Sequence, residues 1–186
     1  MLVKYLAAIA LAGLALTATV GSTPAVAQQA VATDSSFILT AGSLGLLQVK
    51  LGKLAEEKGS SAGVRDFGAR MVADYTKANE ALAAGAKQAA YPAPVLLREH
   101  RQVYDRLSRA GRDSFDKKYM AEMVTEHGDA VRLFQKESDG GRVASLKQLA
   151  TTMLATVQQH MALAAQTAGA VGADVTAATT GDRQGS

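Results

Sequence analysis

Between Asp34 and Ala168 the apolar residues recur at steps of three and four, four times over. One stripe runs Phe37, Ala41, Leu44, Gln48, Leu51, Ala55, and a second runs Val64, Phe67, Met71, Tyr75, Ala78, Leu82. A third is Phe115, Tyr119, Met123, His127, Ala130, Phe134, and the fourth is Leu146, Leu149, Met153, Val157, His160, Ala164. Such spacing gathers each set on one helix face. No stretch alternates every second residue with β-branched enrichment, as a half-buried strand would. Asp34 or Ser35 can cap the first helix, and Gly59-Ser60-Ser61 ends it. The second stops before Tyr91-Pro92-Ala93-Pro94, and Asp139-Gly140-Gly141 closes the third.

Four amphipathic helices in one domain bury their stripes against one another. The fold class is therefore all-α, an antiparallel four-helix bundle over residues 34–168. Short links after the first and third long helices favour antiparallel neighbours. A longer link between the second and third carries an extra short helix, Leu96 to Ala110, with Leu97, Tyr104 and Leu107 inward. Gly42, Gly45, Gly52, Gly68, Gly85 and Gly128 fall inside helices, where each costs up to ~1 kcal/mol relative to alanine. They reflect either close helix approach or the drift of an Ala/Gly-rich sequence.

The flanks read differently. Lys4, the apolar run Leu6 to Val20 and Pro24-Ala25-Val26-Ala27 make residues 1–27 a secretory signal peptide cut after Ala27. The run is roughly 15 residues, short of the ~20 that span a bilayer as a helix, so an uncleaved anchor is the alternative. Residues 28–33 read as a linker, and 169–186, without periodicity, as a disordered tail. An exported, periplasmic protein is expected, with outer-membrane association as a further alternative.

Composition removes several chemistries. Cysteine is absent, so there is no disulfide, thiolate metal site, thiol nucleophile or lipid-modified cysteine. A net charge of +3, evenly spread and without aromatic interleaving, gives no footing for nucleic acid. There is no G-x-S-x-G elbow, and most acids fall on polar faces or helix ends, against paired-carboxylate catalysis. Met71, Met123 and Met153 have core spacing and read as packing. The basic segment Arg98 to Arg112 is either the solvated face of the linking helix, His100 included, or a contact for an envelope protein or anionic surface.

The informative residues interrupt the stripes. Gln48, Tyr75, His127 and His160 each lie near the midpoint of a helix, and in an antiparallel bundle midpoints share a height. Four inward polar side chains should therefore meet at the centre, as metal and cofactor sites in bundles do. Asp74 and Glu126 border the stripes as flanking groups. One reading is a satisfied network: Tyr75 donating to an imidazole, Gln48 bridging, a water completing the set, with no cofactor. The other is a divalent transition metal held by His127 and His160, helped by Tyr75, Gln48, Asp74 or Glu126. A catalytic residue is not identified, and a non-enzymatic structural, binding or stress-related module is expected.

The chain also resembles the ferritin-like "domain of unknown function 4142" family of exported bacterial proteins. The resemblance rests on Asp34-Ser35-Ser36-Phe37, on the segment from Leu47 to Ala55, and on Val64 to Tyr75. It continues in Phe115 to Tyr119, Glu126-His127 and His160. It implies a ferritin-like bundle with no assigned activity. It also implies glutamate at position 48 and histidine at position 75, where this chain has Gln48 and Tyr75. His127 and His160 stand at family histidine positions. The quartet here is thus neutral, and without Glu-x-x-His before either histidine the di-iron carboxylate pattern is missing.

Overall fold

The computed structural model describes residues 25–176, with side chains from Asp34 onward. Five helices follow one another: α1 Ala25–Lys58, α2 Ala62–Gln88, α3 Arg98–Ser108, α4 Arg112–Gly140 and α5 Ala144–Ala170. No strand occurs among the described residues. The four long helices close a ring in the order α1, α2, α5, α4. Every neighbour pair is antiparallel, because α2 and α4 run the same way and the chain returns between them. That return is α3, which starts beside Ser43 and ends beside Lys58 of α1.

Side chains fix the ends of the ring. The Asp116 carboxylate at the start of α4 accepts the Ser60 and Ser61 amides of the α1–α2 turn at 3.0 and 2.7 Å. At the opposite end Asp34 accepts the Arg142 and Val143 amides of the α4–α5 turn at 3.0 and 3.3 Å. Lys58 Nζ donates to the Ser108 and Ala110 carbonyls at 2.7 and 2.8 Å, satisfying the end of α3. These bonds occupy backbone groups that helix termini leave without intrahelical partners.

Two apolar layers fill the interior. One, around Leu51, Phe67, Met71, Phe115, Tyr119 and Met123, lies toward the α1–α2 turn. The other, around Phe37, Leu44, Leu82, Phe134, Leu146 and Val157, lies toward the α4–α5 turn. Phe37 and Phe134 meet edge to face at 5.2 Å in the second layer. The boundary between layers falls at the midpoints of the long helices.

The glycines divide by position. A methyl on Gly52 would lie 2.6 Å from the Gly68 carbonyl, and one on Gly68 would lie 2.7 Å from the Gly52 carbonyl. The backbones of α1 and α2 touch there, so close approach explains this pair. Gly128 has nothing nearer than 3.8 Å and is compositional.

Several expectations need correction. Residues 28–33 are helical and continuous with α1 rather than a linker. The rest of the expected signal peptide lies outside the described residues. Residues 169–175 do not behave as the expected tail: α5 runs to Ala170, and Val171, Ala173 and Val175 pack on the core. Residues 177–186 lie outside the description. Within the short helix the inward residues are His100, Val103 and Leu107, with Leu97 and Tyr104 only half-buried. His100 therefore leaves the solvated face, because α3 turns that side toward α1 and α4. The stretch Asp34–Lys58 is long and apolar enough to cross a membrane, yet 67% of its most apolar window is buried in the bundle.

Candidate functional site

The polar interruptions do meet. Ring centroids of Tyr75 on α2 and His127 on α4 are 6.0 Å apart, Tyr75 and His160 on α5 5.6 Å, and the two imidazoles 5.7 Å. Gln48 is fully buried on α1 between Gly45, which abuts Asn79, and Gly52, which abuts Gly68 and Val72. That register sets Gln48 at the height of Tyr75. All four side chains are at most 2% exposed.

Each imidazole is held by one nitrogen. His127 Nδ1 lies 2.8 Å from the Met123 carbonyl one turn back, an acceptor only, so Nδ1 carries the proton and Nε2 the lone pair. His160 Nε2 lies 2.8 Å from Asp74 Oδ2 and donates to that carboxylate, which leaves the lone pair on Nδ1. Asp74 is steadied in turn by Arg70 Nε at 3.6 Å. His127 Nε2 and His160 Nδ1 are buried with no hydrogen-bond partner in the protein, as are both amide atoms of Gln48 and the Tyr75 hydroxyl. Buried polar atoms are ordinarily paired, so five such atoms at one level mark a site.

Burial also sets the protonation states. It pushes His127 down to about 4, against the opposing Met123 bond and with His160 adding to the fall. Burial lowers His160 as well, and its bond to Asp74 only partly offsets this. Tyr75 is driven far above the usual phenol range, first by burial and then by the carboxylates of Glu126 and Asp74. At neutral pH the centre is two neutral imidazoles, a phenol and an amide. A space of about 10 Å³ adjoins Tyr75 between Ala41, Gly45 and Phe134, close to the least that holds one water molecule.

Of the six expected site residues, Gln48, Tyr75, His127 and His160 converge, and Asp74 orients His160 from behind. Glu126 does not join them. It is 3% exposed and turns toward His100, whose Nε2 is 3.9 Å from Glu126 Oε2; its field also reaches Tyr75. The directly bonded network expected from the sequence is also not formed, since the Tyr75 hydroxyl donates to neither imidazole and Gln48 bridges nothing. Among the described residues no group of three or more His, Cys, Asp or Glu is placed to hold a metal ion.

Sequence reasoning missed two further buried acids and bases. His100 is 8% exposed, its Nδ1 2.6 Å from Ser43 Oγ, which also accepts the Leu97 amide at 2.8 Å. Glu137, one of the acids assigned to polar faces or helix ends, stands in the last turn of α4 and is fully buried. Burial and the neighbouring Asp34 push it up to about 7, with Lys147 opposing. A signal existed for Glu137, which lies three residues beyond Phe134 on the same stripe. The exposed arginines Arg98, Arg101, Arg109 and Arg112 line the outer side of the α3 region, and Arg106 pairs with Glu122 at 2.6 Å.

No curated protein matches this sequence. Among solved structures, the DUF305 fragment from Deinococcus radiodurans superposes with a TM-score of 0.63 at 15% identity, covering 75% of this chain and 95% of that one. At that identity the likeness concerns the fold. The family model described as "Domain of unknown function (DUF4142)" matches residues 20–167, which takes in all four midpoint residues, and the chain belongs to that family.

Proposed function

We propose that this chain is an exported, non-enzymatic binding module of ferritin-like architecture whose centre takes one transition-metal ion through His127 Nε2 and His160 Nδ1. One observation carries the reading: each imidazole spends one nitrogen on a fixed partner and keeps the other buried without one. A carboxylate or carbonyl behind a histidine is how proteins orient metal-ligating imidazoles. Both rings are neutral at neutral pH, so binding displaces no proton there. Gln48 and Tyr75 lie at the same level as further oxygen donors. Burial of all four side chains supports retention of an ion over turnover of a substrate.

The donor set also bears on which ion. With no carboxylate in contact, a dication is poorly compensated, although Asp74 stands one residue behind. Among ions that imidazole suits, the singly charged cuprous ion costs least to desolvate here, so tighter binding than Zn(II) is expected. Titration of the tag-free chain with Cu(I) and with Zn(II), followed by calorimetry, tests the reading. One equivalent bound, and lost in His127→Ala, is the expected result; no stoichiometric uptake of either ion refutes it. A second role has its own support in the water-sized space beside Tyr75: a water-bridged belt that fixes helix register.

A further inference from the structure

Away from the centre, α3 divides the surface beside α1 in two. On one side is a cavity of about 740 Å³ that holds His100 and Glu126. On the other is a groove of about 230 Å³ lined by Val49, Lys50, Lys53, Leu54, Glu57 and Tyr104. Lys50 Nζ lies 5.4 Å from the centre of the Tyr104 ring, which holds it at the groove. Arg101 stands one turn before Tyr104 on α3, and Arg98 one turn before Arg101, so the basic row continues along that helix. Lys50, Lys53, Arg98 and Arg101 are exposed, and none is in an ion pair among the described residues. The carboxylates beside them are Glu57 and the half-buried Asp105. Arg106 and Arg132, by contrast, are paired with Glu122 and Asp129. The field on this face therefore favours an anionic partner.

Apolar surface adjoins that charge. The loop from 89 to 97 is pinned twice: Pro94 packs on Gly42 where no Cβ would fit, and the Leu97 amide donates to Ser43 Oγ at 2.8 Å. Between these points Val95 is left 59% exposed. Leu39, one turn before Ser43 on α1, is 37% exposed. They are two of the three exposed large apolar side chains among the described residues, and the third, Met161, is on α5 across the bundle. The apolar run from Leu6 to Val20, a composition that prefers a bilayer to water, leads into α1. Leu39 lies only about 21 Å along that helix from Ala25, so the run and the patch can reach one surface. Cations beside apolar side chains supply the two attractions that hold a protein at an anionic membrane. Tyr104, the ring in the groove, is half-buried beside Lys50 and leaves no platform for stacking a nucleic-acid base.

We propose that the face formed by α1, α3 and the loop before α3 lies on an anionic phospholipid bilayer, with Leu39 and Val95 in the headgroup layer and Lys50, Lys53, Arg98 and Arg101 against lipid phosphates. The contact is separate from the mid-bundle centre and needs no metal. Because the chain has no cysteine, one introduced thiol carries one polarity-sensitive fluorophore. The full chain is labelled at Ala93→Cys in the loop or, as a control, at the exposed Ala162→Cys on α5. Each is titrated with vesicles of phosphatidylglycerol in phosphatidylcholine and with phosphatidylcholine alone. The label reports contact at its own face whether or not residues 6–20 also insert. Expected is a blue shift at position 93 with the anionic vesicles only, reversed by high salt, and none at position 162. Replacing Lys50, Lys53, Arg98 and Arg101 together by glutamine should raise the lipid needed about a hundredfold or more, at about fivefold per cation. Val95→Asp should raise it about tenfold, and His127→Ala should change nothing. No shift at position 93, an equal shift with neutral vesicles or at position 162, or a full response in the folded glutamine variant overturns the proposal. If that variant does not fold, a full response in Val95→Asp overturns it instead.

Discussion

Replacing Gly68 by alanine puts a methyl group 2.7 Å from the Gly52 carbonyl and 2.8 Å from the Ala55 methyl. Ordinary carbon contacts lie at roughly 3.5–4.0 Å, so α1 and α2 must part by roughly 0.7 Å or more. Neither obstacle is the far end of a flexible side chain, so the strain passes to the backbones. Overpacking of this kind costs ~1–3 kcal/mol, and contact with backbone places this case at the upper end. Helix propensity returns up to ~1 kcal/mol, leaving a net loss of about 2 kcal/mol. Gly128→Ala gains the same propensity with nothing nearer than 3.8 Å, and should stabilise by ~0.5–1 kcal/mol. Urea unfolding followed by circular dichroism measures both. For a domain this size the loss in Gly68→Ala corresponds to a Tm lower by about 4–8 °C. The crossing also sets the height at which Gln48 meets Tyr75, so Gly68→Ala should weaken metal binding while Gly128→Ala does not. A Gly68→Ala protein as stable as Gly128→Ala would refute the close-contact reasoning.

Three other substitutions probe separate features. Glu137 is raised to about 7 in the fold from an ordinary carboxyl near 4.5, so the native state prefers it protonated. Its contribution is full below about pH 4.5 and is lost as pH rises through about 7. Glu137→Gln should therefore stabilise by about 1–2 kcal/mol at pH 8 and by nothing at pH 4.5, in paired thermal melts, once screening is allowed for. Asp74→Ala removes the acceptor that orients His160 and should lower the affinity for Cu(I) by about 10–100-fold with the fold intact by circular dichroism; unchanged affinity would exclude His160 Nδ1 as a ligand. Ala90 sits at φ 59, where glycine pays no Cβ penalty. Ala90→Gly should gain up to about 1 kcal/mol in urea unfolding, and a loss would count against strain there.

The helices and their inward faces were legible because a 3.6-residue period leaves a one-dimensional trace. Phe67, Met71, Met123 and Val157 are buried where that period puts them. Convergence of Gln48, Tyr75, His127 and His160 followed from antiparallel midpoints alone. The limits of the helices were less legible: α1 begins before Asp34, and the chain beyond α5 packs on the core through Val171 and Val175. Neither region has a stripe long enough to set a period, and tertiary contact decides it.

What the sequence determined by itself was the all-helical class, the ring of antiparallel neighbours, and which four polar residues share one level. Those depend on local periodicity and on link length, both written along the chain. Only the tertiary structure decided what each polar group meets. Asp74 stands behind His160, while Glu126, next to His127 in sequence, turns to His100 across a different cavity. Successive residues on a helix point about 100° apart, so neighbours in sequence face different elements. Which element each one meets depends on how α3 and the ring pack. Hydrogen bonding and burial act over a few ångströms, and only the packed fold sets distances on that scale.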